Sequence, residues 1–192
     1  DASWCSGSAP TAGLYAAARC PIQAGATLLI SKGFDPVHTL ERMTDPALCV
    51  THYFSVPQMA ATLWNQPTFA PEKLKNIVSW AIGGAPNPKA QSERFVNAGV
   101  RISEGFGMSE TGSNFAMPAH DLPTLLRKAG SCGLPLMTVE TKIVDDDGNE
   151  VPTGERGELW VRGPCVAHGY WKQPELTAKA FDDGWFVTGD AA

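Results

Sequence analysis

Glu104-Gly105-Phe106-Gly107-Met108-Ser109-Glu110-Thr111-Gly112 is the stretch whose reading organises the rest of the chain. It follows a short run in which Val100 and Ile102 alternate with polar neighbours, so it opens where a strand ends. Two glycines, an aromatic ring, a hydroxyl and a carboxylate fall within seven residues. Gly105 and Gly107 let the backbone pass close to a flat ligand. Phe106 can stack on a base, Ser109 can hydrogen-bond an anion, and Glu110 can hold a hard cation such as Mg²⁺. The same residues also suit an ordinary strand-to-helix turn, with Ser109 as N-cap and Glu110 in the first helical turn. The motif alone leaves both readings open.

Ahead of the motif, strand and helix patterns alternate. Residues 25–31 (GATLLIS) form an apolar run bounded by turn signals and suit a buried strand. Asp35-Pro36 opens a helix with Val37, Leu40 and Met43 inward. Residues 48–54 give a second strand. Ser55 is placed to cap the next helix, where Val56, Met59, Ala60, Leu63 and Trp64 make one apolar stripe. Residues 76–82 (NIVSWAI) make a third strand running into Gly83-Gly84-Ala85-Pro86. Asn87-Pro88 then starts a helix that ends at Gly99, a left-handed C-cap. Residues 100–104 form a fourth strand. Such alternation predicts a parallel sheet with helices on its faces, and ligands gather at the carboxyl ends of its strands. Both GGAP and the opening motif lie at such ends.

Beyond about residue 128 the period shortens. Val139, Thr141 and Ile143 alternate with Glu140 and Lys142, Asp145-Asp146-Asp147-Gly148 makes a hairpin turn, and residues 158–162 alternate again. The fold expected is α/β: a parallel-sheet subdomain with flanking helices over residues 1–127, then a small β-rich, barrel-like subdomain over 128–192. Residues 13–19 read as a helix.

Composition narrows the partners. The chain has 192 residues, a formal net charge of −5 and no Lys/Arg run, which argues against a nucleic-acid partner. No apolar stretch reaches membrane-span length. Five scattered cysteines without a CxxC pair suit buried free thiols in a reducing cytoplasm, the expected location. The four histidines lack metal-ligand spacing, and Tyr170, Trp171 and Trp185 read as packing residues.

Three segments in order, GGAP (83–86), EGFGMSETG (104–112) and GERGELWVRGPCVAHGYWKQPELTAKAFDDGWFVTGD (154–190), resemble the adenylate-forming, AMP-binding enzyme superfamily, whose members include acyl-CoA synthetases, peptide-synthetase adenylation domains and luciferases. The third tract is the most specific. The resemblance covers the chain from about Gly25 onward and implies an incomplete acetyl-CoA synthetase-like fold. It implies that the backbone of Gly83, Gly84 and Ala85 lies along the adenine of ATP or AMP. Glu104 stands near the base, Phe106 stacks on it, and Gly105, Gly107 and Met108 complete that wall. Ser109 touches the α-phosphate, Glu110 is the magnesium ligand, and Asp190 accepts from the ribose hydroxyls. Ser109 and Glu110 are the catalytic pair in this reading. The reaction implied is attack of a carboxylate on the α-phosphorus of ATP, giving acyl-AMP, then transfer to a thiol, usually coenzyme A.

The resemblance also has gaps. SGSAPTAG near the start lacks the lysine of the family's phosphate loop, and no lysine-bearing C-terminal domain follows Asp190. Pro10 stands where relatives carry a histidine. The chain is therefore expected to be a central fragment of a larger enzyme, partnered by missing N- and C-terminal parts and inactive alone. The small or apolar residues at 10–14 and 79–82 favour a fatty or aryl acid as substrate. Amino-acid adenylation and a non-catalytic nucleotide-binding or interaction fragment stand as alternatives.

Overall fold

The computed structural model describes residues 2–6, 21–118 and 121–192, the first range as backbone alone. Expectations for Pro10, for SGSAPTAG and for a helix at 13–19 lie outside the described residues, while Cys49, Cys132 and Cys165, expected to be buried, are exposed free thiols. The chain divides into two compact units, one of residues 1–107 and 115–134, the other of residues 108–114 and 135–192.

In the first unit, five parallel strands run in the order β2-β1-β3-β4-β5, namely Thr27–Ser31, Ala2–Ser6, Val50–Ser55, Ser79–Ile82 and Ile102–Met108. Two short strands, β6 (Gly112–Ala116) and the two-residue β7 (Leu134–Pro135), complete the strand order, so that among the described residues β2 and β7 are its outermost strands. The helices α1 (Pro36–Thr44), α2 (Pro57–Trp64), α3 (Lys89–Asn97) and α4 (Leu122–Arg127) connect strands, with a 3-10 turn at Pro71–Leu74.

The helices begin where local chemistry supplies a start. Asp35 caps α1 by accepting from the His38 N–H at 2.7 Å, and Pro36 fills the first position, where a missing N–H costs nothing. Thr39, Leu40 and Met43 face inward. Val37, expected on that face, is exposed, because at 3.6 residues per turn it lies roughly 110° from the centre of the buried arc.

Ser55 does not cap α2. Val56 occupies that place with no side-chain hydrogen bond. The Ser55 hydroxyl instead accepts from the indole N–H of Trp80 at 2.8 Å. Trp80 is fully buried, so its N–H needs a protein partner, and that demand outweighs the cap. The stripe of α2 is core as expected: Met59, Ala60 and Leu63 are buried, and Val56 and Trp64 pack against them. Trp80 meets Tyr53 and Phe95 edge-on, each with centroids 5.1 Å apart, and Trp64 meets Phe95 at 4.8 Å. Such pairs contribute about 0.5–1.5 kcal/mol each beyond their buried area. Gly99, at φ +85°, ends the α3 region as a left-handed residue.

The second unit holds a four-stranded antiparallel sheet in the order β10-β11-β9-β8. Its strands are β8 (Glu140–Val144), β9 (Glu158–Arg162), β10 (Phe181–Asp182) and β11 (Trp185–Ala191), with α5 (Pro174–Ala180) before β10. The acidic turn forms as expected. The Asp145 carboxylate accepts from the N–H groups of Asp147 and Asn149, Gly148 takes φ +81°, and Val144 bridges Glu150 beyond it.

Alternation is less clean than the sequence suggests, since Leu159, Trp160 and Val161 are all buried. Trp160 lies on the face that carries charge. Its ring is covered by the Lys142 ammonium, 4.4 Å from the centroid and 4.9 Å from that of Trp185. Arg162 lies over Trp185 at 4.4 Å and pairs with Glu140. Cations over aromatic faces thus close a surface that polarity alone would have left open.

Candidate nucleotide site

In the first unit β4 and β5 lie side by side in register, with Ile82 opposite Glu104. Their carboxyl ends therefore deliver Gly83-Gly84-Ala85 and Glu104-Gly105-Phe106 next to one another. A Cβ placed on Gly83 would sit 3.5 Å from the Gly105 carbonyl and from the Phe54 ring, an ordinary contact. Gly84 is the glycine the backbone requires, at φ +84°. Gly84 and Ala85 are exposed, and the Gly83 N–H donates to the Ser55 carbonyl, tying the loop to the end of β3.

Glu104 is anchored more firmly than the sequence indicates. Its Oε1 accepts from the Ser92 hydroxyl at 2.7 Å, the Gly130 N–H at 3.1 Å and the Asn87 amide at 3.4 Å. Asn87 also donates to Ser92 and accepts from Gln91, and Gln91 reaches the Pro57 carbonyl. The Asn87 side chain, expected to start a helix, instead joins this polar chain, and Pro88 holds the N-cap place of α3. Gly105 admits a close neighbour, since a Cβ there would lie 3.0 Å from the Phe115 carbonyl. The Phe106 ring is half-buried and meets Phe115 edge-on at 5.9 Å.

The alternative reading of the motif as a strand-to-helix turn is overturned. Glu104 to Met108 are strand, residues 109–111 turn, and β6 follows. No helix starts here, so Ser109 is no N-cap.

In the second unit, the turn after Met108 is fixed from within and from one side. Thr111 donates to the Met108 carbonyl through its N–H. Thr111 and Asn114 are fully buried and bonded to each other, hydroxyl to amide oxygen and amide to carbonyl. With its base locked, the turn presents an exposed Ser109 and a half-buried Glu110. The Glu110 carbonyl accepts from the Ala167 N–H at 2.7 Å, and its Oε1 accepts from the Tyr170 hydroxyl at 2.9 Å. Burial, reinforced by the Glu110 carboxylate, pushes the Tyr170 phenol above its usual pKa.

Asp190 sits in a bulge of β11. Pairing with β9 shifts register between Val187 and Ala191, and Gly189 takes φ +75°. Thr188 donates to the Leu159 carbonyl and accepts from the Asp190 N–H. The Glu158 carboxylate accepts from the Gly189 N–H at 3.0 Å and from the Trp160 indole at 3.1 Å. The Asp190 side chain is left exposed.

The donor set suits a hard cation. Among the described residues no cluster of three or more His, Cys, Asp or Glu side chains could cage a metal. Magnesium is held by one or two carboxylates together with substrate phosphates and water, and the half-buried Glu110 offers one such carboxylate, leaving the remaining positions to phosphate and water.

A family model described as AMP-binding enzyme matches residues 10–171. The chain belongs to the AMP-binding enzyme family. Feruloyl-CoA synthase from Amycolatopsis is 33% identical over 168 residues, covering 88% of this chain and 33% of the relative. Long-chain-fatty-acid–CoA ligase from Salmonella typhimurium is 40% identical over 131 residues, covering 68% of this chain and 23% of the relative. The chain thus spans a third or less of the length of these AMP-binding relatives. o-Succinylbenzoate CoA synthetase from Bacillus subtilis, solved in complex with an acyl-adenylate intermediate, superposes with a TM-score of 0.85 at 27% identity, covering 100% of this chain and 38% of that one. The α/β parallel-sheet unit followed by a small β unit is the architecture expected of an AMP-binding enzyme.

Residue reasoning on the sequence missed Ser92, Asn87, Thr111, Asn114, Glu158 and the hydroxyl of Tyr170. The signal for Glu158 and Tyr170 was their place in the 154–190 tract. Ser92 and Asn114 gave none, since each acts across a turn or between elements.

Proposed function

We propose that the protein containing this chain activates a carboxylic acid with ATP, forming acyl-AMP and pyrophosphate, and passes the acyl group to coenzyme A. The observation that carries this reading is the pairing of β4 with β5. It brings the GGAP backbone and the Glu104–Phe106 segment to one sheet end, where α/β proteins bind nucleotides.

In this reading Gly83, Gly84 and Ala85 lie against the adenine with Gly105, Gly107 and Met108, and Phe106 stacks on it. Ser109 donates to the α-phosphate, and Asp190 accepts from both ribose hydroxyls, a geometry suited to a carboxylate. Glu110 would hold Mg²⁺, which when bound supplies positive charge to the phosphate oxygens. Glu104 serves this wall by tying β5 to α3 and the Gly130 turn. Negative charge grows on phosphate oxygens as the carboxylate attacks, so fixed donors and cations contribute most of the acceleration, and no side-chain nucleophile is required. Residues 1–127 would carry the adenine and metal groups and 128–192 the ribose carboxylate, in a cytoplasmic enzyme.

The activities for which the relatives are named support a fatty or aryl acid and a coenzyme A acceptor. Hydroxamate trapping on the full-length enzyme with fatty, aryl and amino acids tests this. Trapping with fatty or aryl acids, lost in Glu110→Ala, is expected, and trapping with amino acids alone would overturn it. The 192-residue chain by itself is expected to give no ATP–pyrophosphate exchange with any of these acids.

A further inference from the structure

Sixty residues after Glu110, Tyr170 closes a hydrogen bond onto it that the reaction itself does not call for. We infer that Tyr170 is a positioning residue that fixes the Glu110 carboxylate, committing Oε1 to the phenol so that Oε2 is presented to the cation. The inference rests on the proposed role of Glu110 as the magnesium ligand.

Both residues belong to the second unit, and the strap carrying Tyr170 is built to hold it. The Tyr170 N–H donates to the Thr177 hydroxyl at 2.9 Å, and that hydroxyl donates to the Gln173 carbonyl, so Tyr170 is pinned to the first turn of α5. Gly169 takes φ +149°, and a Cβ there would lie 2.5 Å from the Thr177 methyl, so only glycine lets the strap pass this closely. At its other side, the Ala167 N–H donates to the Glu110 carbonyl at 2.7 Å. Backbone and side chain of Glu110 are therefore held by the same short strap. Among the described residues Tyr170 is the one side-chain partner of this carboxylate. A free glutamate samples many rotamers, and each must be abandoned when a cation binds. A rigid phenol restricts that search beforehand. Groups that orient a metal ligand in this way typically change metal affinity 10–100-fold when removed.

Tyr170→Phe in the full-length enzyme keeps the ring and removes only the hydroxyl. Calorimetric ATP titrations at a series of Mg²⁺ concentrations give the half-saturating Mg²⁺, and AMP binding without Mg²⁺ gives the metal-independent affinity. The expected result is about a tenfold rise in half-saturating Mg²⁺ with AMP affinity unchanged. The maximal rate should return at high Mg²⁺, and Trp171→Phe, at an exposed neighbour, should shift neither quantity. If Tyr170→Phe leaves the Mg²⁺ dependence unchanged while Glu110→Gln raises it, the positioning role is refuted and the ligand role stands. If Glu110→Gln has no effect either, the ligand role itself falls and the positioning role with it. A loss of AMP and MgATP binding together, with a lowered melting temperature, would make Tyr170 a structural residue only and also overturn the inference.

Discussion

Replacing Glu104 by Gln keeps the shape of the side chain and removes its charge, and so measures what the carboxylate contributes. Three donors converge on Oε1: the Ser92 hydroxyl at 2.7 Å, the Gly130 N–H at 3.1 Å and the Asn87 amide at 3.4 Å. Hydrogen bonds to a charged group contribute about 1.5–3 kcal/mol and neutral ones about 0.5–1.5 kcal/mol, a difference of about 1 kcal/mol per good bond. Counting the two shorter bonds fully and the longest hardly at all, the loss should be about 2 kcal/mol. For a chain of this size that corresponds to roughly 4–8 °C in melting temperature. Urea unfolding followed by tryptophan fluorescence would read the change for the first unit, where Trp80 and Trp64 lie in or against the core. Ser92 is buried and bonded directly to Glu104, so the double-mutant cycle of Glu104→Gln with Ser92→Ala should show a coupling of about 1 kcal/mol or more. Strict additivity, or no destabilisation by Glu104→Gln, would refute the claim that this carboxylate holds β5 to its neighbours.

Ser55→Ala should destabilise the first unit by about 1–3 kcal/mol in the same assay, because it leaves the fully buried Trp80 N–H without its acceptor. Glu158→Ala should loosen the bulge at Gly189, since it removes the acceptor of that N–H. Faster hydrogen exchange at Gly189, with the exchange of β8 less changed, would be the sign. Backbone hydrogen bonds, that from Asn149 foremost, hold the Asp145 carboxyl below its ordinary pKa. A depressed folded-state pKa contributes stability above the unfolded value, near 3.9, that disappears as pH falls through the folded value. Asp145→Asn should therefore melt earlier than the parent at pH 7, and the gap should narrow in acid; a gap that widens below pH 4 would contradict this.

Four of the five parallel strands were legible because apolar runs, the Asp35-Pro36 start and a terminal glycine are local signals, whereas the short Ala2–Ser6 strand, bounded by no such signal, was not. The start of α2 was misread for a non-local reason: the partner of Ser55 is 25 residues away, on β4. Asn87 went the same way, drawn from a helix start into a polar chain that reaches Glu104. The opening motif was read for its chemistry but not its shape, since two glycines suggest a turn while Glu104 to Met108 continue the strand. In the small β unit the cations over Trp160 and Trp185 defeated a reading by alternation, which treats every lysine as solvent-facing.

The two ends of the long sheet have unequal prospects. On one side β7 is two residues long and one of them is Pro135, which has no N–H to offer a further strand. On the other, β2 is five residues long and carries an Ile30 side chain that is 67% exposed. Among the described residues no strand pairs with its outer side, and an unpaired strand of that length is a template on which another chain can grow. A preparation of the 192-residue chain should therefore self-associate from the β2 side alone. A lysine at Ile30 is then the change that keeps such a preparation in solution, without touching any residue assigned to the nucleotide.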